Sequence, residues 1–207
     1  MGELADAARA RFRPWASPRQ RGIVATVIVL ASSAGFAVLL LQAVVGPPLT
    51  IPARHIADRI ALLALVFGTL AAYGGLLAGG VAMAVWTHRC YRNLGALGGS
   101  AHFRPVLATA SWLVPLVNLV LPWLALQDLA AGSGVFARER LPIHLWWVLW
   151  LSASAAWVAA SFVQPAWIGS LTLLHEALLV VAGIVLAVVV GTITWRQDAR
   201  APAHSGH

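Results

Sequence analysis

Apolar residues fall into five long runs, at 23–45, 56–86, 106–129, 143–163 and 170–195. At about 1.5 Å of helical rise per residue the first reaches about 34 Å, enough for a bilayer core of roughly 30 Å. Gly46-Pro47-Pro48 ends it, because Pro lacks the N–H of a helix interior and pushes the residue before it out of the α region. The second run is longer than a membrane requires, so it is expected to tilt or to project from the bilayer. Within it Gly75 and Gly79 are four apart, which favours close packing against another helix of the same chain. The fourth run carries Ser152, Ala156 and Ala160 as a small-residue face, and begins with His144 and the interfacial pair Trp146-Trp147. Trp167 and Trp195 bracket the fifth. The short link between the last two runs makes them antiparallel neighbours.

The third run has the length of a span but contains Pro115, Asn118 and Pro122. Each interior Pro removes a backbone hydrogen bond, at about 3 kcal/mol unless neighbours compensate. Charge decides how to read it. If the run crossed fully, Arg138, Arg140, Arg196 and Arg200 would lie outside. If it enters and leaves on one side, only Arg54 and Arg59 are left outside, and the positive-inside rule favours that arrangement. The expected fold is therefore an all-α integral membrane protein. It has four transmembrane helices and one proline-broken, re-entrant or interfacial helical segment. A turn near Asn118 would let its amide serve carbonyls that the prolines leave unpaired.

Composition supports the class. Hydrophobic residues are 60% and charged residues 10% of the 207, where soluble domains carry roughly a quarter charged. Mean hydropathy is +0.81. A soluble enzyme, a disordered chain and a nucleic-acid binder are excluded on these grounds. The net charge of +7 comes from Arg without Lys. Arg9, Arg11, Arg13, Arg19 and Arg21 stand before the first run, as in a cytoplasmic juxtamembrane segment that can touch anionic headgroups. The basic stretch and the long first run fit a retained signal anchor rather than a cleaved signal peptide. Residues 1–22 then form a basic cytoplasmic segment, 23–195 a single helical membrane domain and 196–207 a short cytoplasmic tail. The expected location is the plasma membrane, multi-pass, with both termini cytoplasmic. Cys90 is the single cysteine and cannot form an intrachain disulfide.

Two polar clusters are candidate sites. On the cytoplasmic side Arg89, Arg92, Asn93, Arg104, Asn118 and Asp128, with Gln127, can converge; Arg offers a rigid fork of donors for carboxylate or phosphate. In this reading Asp128 pairs with Arg89 or Arg92. On the outer side stand His55, Asp58 and Arg59 at the start of the second run, and His175 and Glu176 in the fifth. A carboxylate at depth is costly, and an ion pair between Glu176 and Arg59 would relieve it. A metal or haem site built from His55, Asp58, His175 and Glu176 is the sharper alternative. The HExxH zinc-protease motif fails, since Leu179 stands where the second His belongs.

Residues 86–130 also carry an ordered pattern: Trp86, Arg89, Tyr91, Asn93, Leu94 and Gly98, then Phe103 and Pro105, then Trp112, Pro115, Asn118, Pro122 and Asp128. It resembles an uncharacterised four-helix integral-membrane family, widespread in actinobacteria, with a W-x2-R-x-Y-x-N-L loop and a W-x2-P-x2-N-x3-P segment. The resemblance implies a fold and brings no reaction, substrate or cofactor. With no nucleophile–base pair and no phosphate loop in view, the expected role is a small non-catalytic membrane subunit, or an accessory or assembly protein of a larger complex. Its partners would be the lipid bilayer and other membrane protein subunits, with no nucleic acid. The alternative is a membrane enzyme or transporter component that binds a lipid headgroup, an anion, or a metal or haem cofactor.

Overall fold

The computed structural model describes residues 15–46, 55–162 and 165–201. Arg9, Arg11, Arg13, Arg54, Pro47, Pro48 and the tail beyond Ala201 lie outside the described residues. Among those described there is helix and no strand. Four helices are long and apolar enough to cross a membrane. They are α1 (Arg19–Val45), α2 (Ile56–Leu94), α5 (Leu141–Ala160, preceded by a 3-10 turn at Ala137–Arg140) and α6 (Pro165–Ala199). Between α2 and α5 lie two short helices, α3 (Pro105–Ala110) and α4 (Leu121–Gly132). The chain is a multi-pass, all-α membrane protein of four spans plus a broken segment.

Helices α2 and α6 are longer than the apolar runs that predict them. The α2 helix continues past Trp86 through the polar stretch to Leu94, and α6 begins at Pro165. Apolar periodicity marks only what hydrocarbon covers; a helix runs on while each N–H still finds its carbonyl. The ends of α2 and α4 are stopped by glycine. Gly98 (φ +70°) and Gly134 (φ +78°) take the left-handed conformation. Gly99 N donates to Leu94 O and Val135 N to Ala130 O, each at 2.9 Å. These are the 6→1 bonds of Schellman caps, which serve carbonyls that a helix end leaves orphaned.

The third apolar run is in pieces. Pro105 is the first residue of α3 and Pro122 the second of α4, both in the first turn, where a missing N–H breaks no intrahelical bond. Between them Asn118 sits in a 3-10 turn, Val117–Leu119. Its Nδ2 donates to the Trp112 carbonyl at 3.4 Å, beside Pro115. Pro122 therefore starts a helix and does not break one.

The described chain forms two compact units. The first contains 15–26, 80–143 and 188–201; the second contains 27–46, 55–79, 144–162 and 165–187. The broken segment lies wholly in the first, with the start of α1 and the ends of α2 and α6. The second unit is held by small residues at helix crossings. A Cβ on Gly35 would overlap the backbone of Ala71 and Ala72, and one on Gly75 would lie 2.8 Å from Ser32 Cβ. Gly79 faces Val29 at 3.7 Å, so the Gly75/Gly79 pair packs against α1. Here α2 makes a π-turn at Leu70–Gly74, and Ser32 Oγ donates to the Ala72 carbonyl within it at 2.7 Å. The buried core is Phe36, Leu39, Ala72, Ala153 and Leu179. On α5 the packed small residues are Ala153 and Ala156, while Ser152 is exposed. The expected Ser152/Ala156/Ala160 face is thus rotated, because the bulky Trp150 packs against the core and sets the helix azimuth.

Replacing Gly35 by Ala should lower the melting temperature in detergent, because overlap with backbone cannot be relieved by a rotamer, at about 1–3 kcal/mol. Gly191→Ala, where nothing lies within 4 Å, should be neutral or stabilising. Equal melting temperatures for the two variants would refute the crossing.

Candidate functional site

Helical spacing puts Trp86, Cys90 and Asn93 on one face of α2 and Val190, Ile193, Thr194 and Gln197 on one face of α6, all buried. Each polar member needs a partner once water is gone. Trp86 Nε1 donates to Thr194 Oγ1 at 3.0 Å. Gly22 of α1 packs into the same corner, where a Cβ would meet Thr194 Oγ1 at 2.7 Å. Gln197 Nε2 donates to Ser133 Oγ at 2.9 Å and to the Cys90 carbonyl at 3.2 Å, while its Oε1 accepts from Asn93 Nδ2 at 3.1 Å. Asn93 also matches the backbone before α1. Its Nδ2 donates to Ala16 O at 2.9 Å and its Oδ1 accepts from Ala16 N at 3.4 Å. Two fully buried amides thus tie together α2, α6, the end of α4 and the segment entering α1. Arg89 Nε donates to the same Ala16 carbonyl at 3.1 Å, and Ser17 Oγ donates to Asp198 at 2.8 Å.

A second polar centre surrounds Asp128. Its carboxylate, 5% exposed, receives His102 Nδ1 at 2.6 Å, the His102 amide at 3.0 Å and the Phe103 amide at 3.4 Å. The Tyr91 hydroxyl lies 3.0 Å from it and 2.9 Å from the Ala125 carbonyl. A carboxylate so supplied anchors the 102–103 loop to α4. Nearby, Trp112 Nε1 donates to Thr87 Oγ1 at 3.1 Å, fixing the broken segment to α2. Arg200 bonds the Leu97 and Gly132 carbonyls. Arg196 Nη2 donates to both oxygens of Glu139 at 2.8 Å, with its guanidinium 5.2 Å from the Phe136 ring and 5.1 Å from that of Trp195.

Of the expected cytoplasmic cluster, Arg89 and Asn93 meet at the Ala16 carbonyl, while Asn118 and Asp128 lie in the same unit in separate bonding groups. Arg92 and Arg104 are exposed. Asp128 is held by His102 and Tyr91 in place of the expected arginine, because the loop amides of 102–103 reach it first. Gln197, Ser133, His102 and Thr194 were missed. The signal they carry is the three- and four-residue spacing of polar side chains near helix ends, as in Thr194 and Gln197, and it involves no charge.

The outer cluster is also not one group. Asp58 Oδ2 accepts from the His55 amide at 3.2 Å and caps α2. Arg59 is exposed, and Glu176 Oε2 is buried without a hydrogen-bond partner. The expected Glu176–Arg59 pair does not form. His175 Nδ1 lies 2.9 Å from the Ala153 carbonyl. No group of three or more His, Cys, Asp or Glu able to hold a metal occurs among the described residues. Cys90 is buried and free, and His144 is exposed.

The first unit's arrangement fastens chain segments; each buried amide has its donors and acceptor engaged by protein. Gln197→Leu should strand three partners, two on α2 and one at the end of α4, and cost about 3 kcal/mol. In a thermal melt in detergent it should fall well below Arg92→Ala, a surface change worth about 0.5 kcal/mol or less. Similar midpoints for the two variants would mean that the amides do not tie the unit.

No curated protein and no solved structure matches the chain. A family described as Domain of unknown function (DUF4328) matches residues 52–196, from the segment before α2 to the Arg196 that pairs with Glu139. The match covers most of the chain and fits the resemblance to an uncharacterised family, and the chain belongs to the DUF4328 family.

Proposed function

We propose that the chain is a small non-catalytic integral-membrane subunit, or an accessory or assembly protein, of a larger complex in the plasma membrane. Both termini lie in the cytoplasm. The observation that carries this reading is one face of α2. Ile56, Ile60, Leu63, Phe67, Leu70 and Leu77 follow one another at steps of three, four and seven residues and are 54–79% exposed. Gly74 fills the seven-residue gap, with nothing within 4 Å of a Cβ built there. An apolar seam with a small residue in its middle is what a second membrane helix packs on. The engagement of the first unit's amides in holding the chain together supports a scaffold over a reaction centre.

A photo-crosslinking residue at Phe67 or Leu70, in native membranes, should give one discrete adduct with another protein. Gly74→Leu should suppress the adduct without changing the melting temperature. Lipid adducts alone at both positions would overturn the proposal.

The orientation rests on the arginines. Arg19, Arg21, Arg89, Arg92, Arg138, Arg140, Arg196 and Arg200 all belong to the first unit, which also holds the described ends of the chain. The positive-inside rule assigns that unit to the cytoplasm. In a Cys90→Ser background, cysteines at the exposed positions Ala101 and Arg138 should resist an impermeant thiol reagent in intact cells and react after lysis. Labelling in intact cells would reverse the topology.

A further inference from the structure

Each membrane-length helix contributes one ring to a closed aromatic layer in the second unit: Phe36 of α1, Tyr73 of α2, Trp157 of α5 and His175 of α6. Ring centroids are 5.2 Å apart for Phe36–Tyr73, 6.4 Å for Tyr73–Trp157, 5.1 Å for Trp157–His175 and 6.0 Å for His175–Phe36. Within this unit three buried polar atoms have no hydrogen-bond partner: His175 Nε2, Glu176 Oε2 and Trp150 Nε1. A carbonyl only accepts, so the 2.9 Å contact with Ala153 O places the hydrogen of a neutral His175 on Nδ1. Nε2 is then a lone pair without a donor.

Glu176 is 6% exposed and stands eleven residues into α6, about 16 Å along the helix. An ionised carboxylate so placed needs a cation or several donors. The neighbouring elements supply neither. From α2 it meets Tyr73, within electrostatic reach. The rings that α1 and α5 bring to the layer, Phe36 and Trp157, do not ionise. On its own helix it has His175, whose Nδ1 is taken. Of the other charged groups in the unit, Arg59 is exposed and Asp58 caps α2.

We propose that Glu176, with His175 beside it, is a proton-binding site within the membrane, and that the ligand of the aromatic layer is the proton itself. Glu176 is held as the neutral acid at neutral pH. Losing the proton leaves a carboxylate within electrostatic reach of Tyr73, whose ring packs on Phe36 of α1 and Trp157 of α5, so release is felt through the layer.

The test uses full-length protein in detergent and a hydrophobic carbodiimide. The acid O–H adds across one C=N bond: the carboxyl oxygen bonds to the central carbon and the proton goes to nitrogen. The resulting O-acylisourea rearranges to a stable N-acylurea, which peptide mass spectrometry maps. Glu176 should label at least tenfold faster than Glu139 or Asp198, and more slowly as pH rises. An infrared spectrum at neutral pH should show a protonated-carboxyl C=O band that Glu176→Gln removes. Because that substitution replaces a neutral acid by a neutral isostere, it should leave the melting temperature unchanged or higher. Absence of the infrared band, or a clear fall in melting temperature for Glu176→Gln, overturns the proposal. Labelling of Glu176 that does not change with pH does so as well.

Discussion

The constraint on which the first unit depends is that a helix end near lipid cannot leave its polar groups unmatched. Asn93 answers it. Its side-chain amide has the donor and acceptor of a peptide group, and it engages both polar groups of Ala16 as a neighbouring strand would. The remaining hydrogen on its nitrogen reaches Gln197, which passes the connection to Ser133 and the Cys90 carbonyl. Neutral amides suit this position better than charges. They satisfy several partners at once and carry no Born cost on burial. That is why the fully buried polar residues here are neutral, Asn93 and Gln197 with Ser111 and Ser133, while Arg92 and Arg104 stay at the surface.

The same constraint explains the broken segment. A proline-bearing stretch can be as apolar as a span and still be unable to cross, since each missing N–H strands a carbonyl in hydrocarbon. The chain turns that defect to use by placing Pro105 and Pro122 at helix starts and Asn118 at the turn. What remains is fastened by side chains to α2: Trp112 to Thr87, and Asp128 to Tyr91.

Four spans and a broken third run were legible because hydropathy, proline chemistry and arginine placement are properties of single residues or short windows. The pairings were less legible. Charge attraction pointed Asp128 at arginines and Glu176 at Arg59, yet Asp128 is taken by the amides and imidazole of 102–103 and Arg59 is exposed. Which groups meet depends on helix azimuth and on how far a helix overruns its apolar run, and hydropathy reports neither. Gln197 illustrates the loss. It lies past the last apolar residue of the fifth run, in a part of α6 that hydropathy does not mark, and it joins α6 to Asn93, the Cys90 carbonyl and Ser133.

The two units differ in how the polar groups at their centres are served. In the first, the amides at the centre are matched and the result is a fastening. In the second, the buried Nε2 of His175, Oε2 of Glu176 and Nε1 of Trp150 are unmatched, and the rings of Phe36 and Trp157 pack on His175. Packing alone does not call for this arrangement, since a Leu or Met in place of Glu176 would bury at lower cost. The cost is tolerable only while the group is neutral, because a neutral acid in hydrocarbon forfeits a hydrogen bond where an ion forfeits its whole solvation. A side chain whose burial depends on holding a proton makes the packing around it depend on proton activity too. The π-turn at Leu70–Gly74 adds to this, because Tyr73 sits inside it and departures from the regular helix ladder are where a helix shifts register most readily.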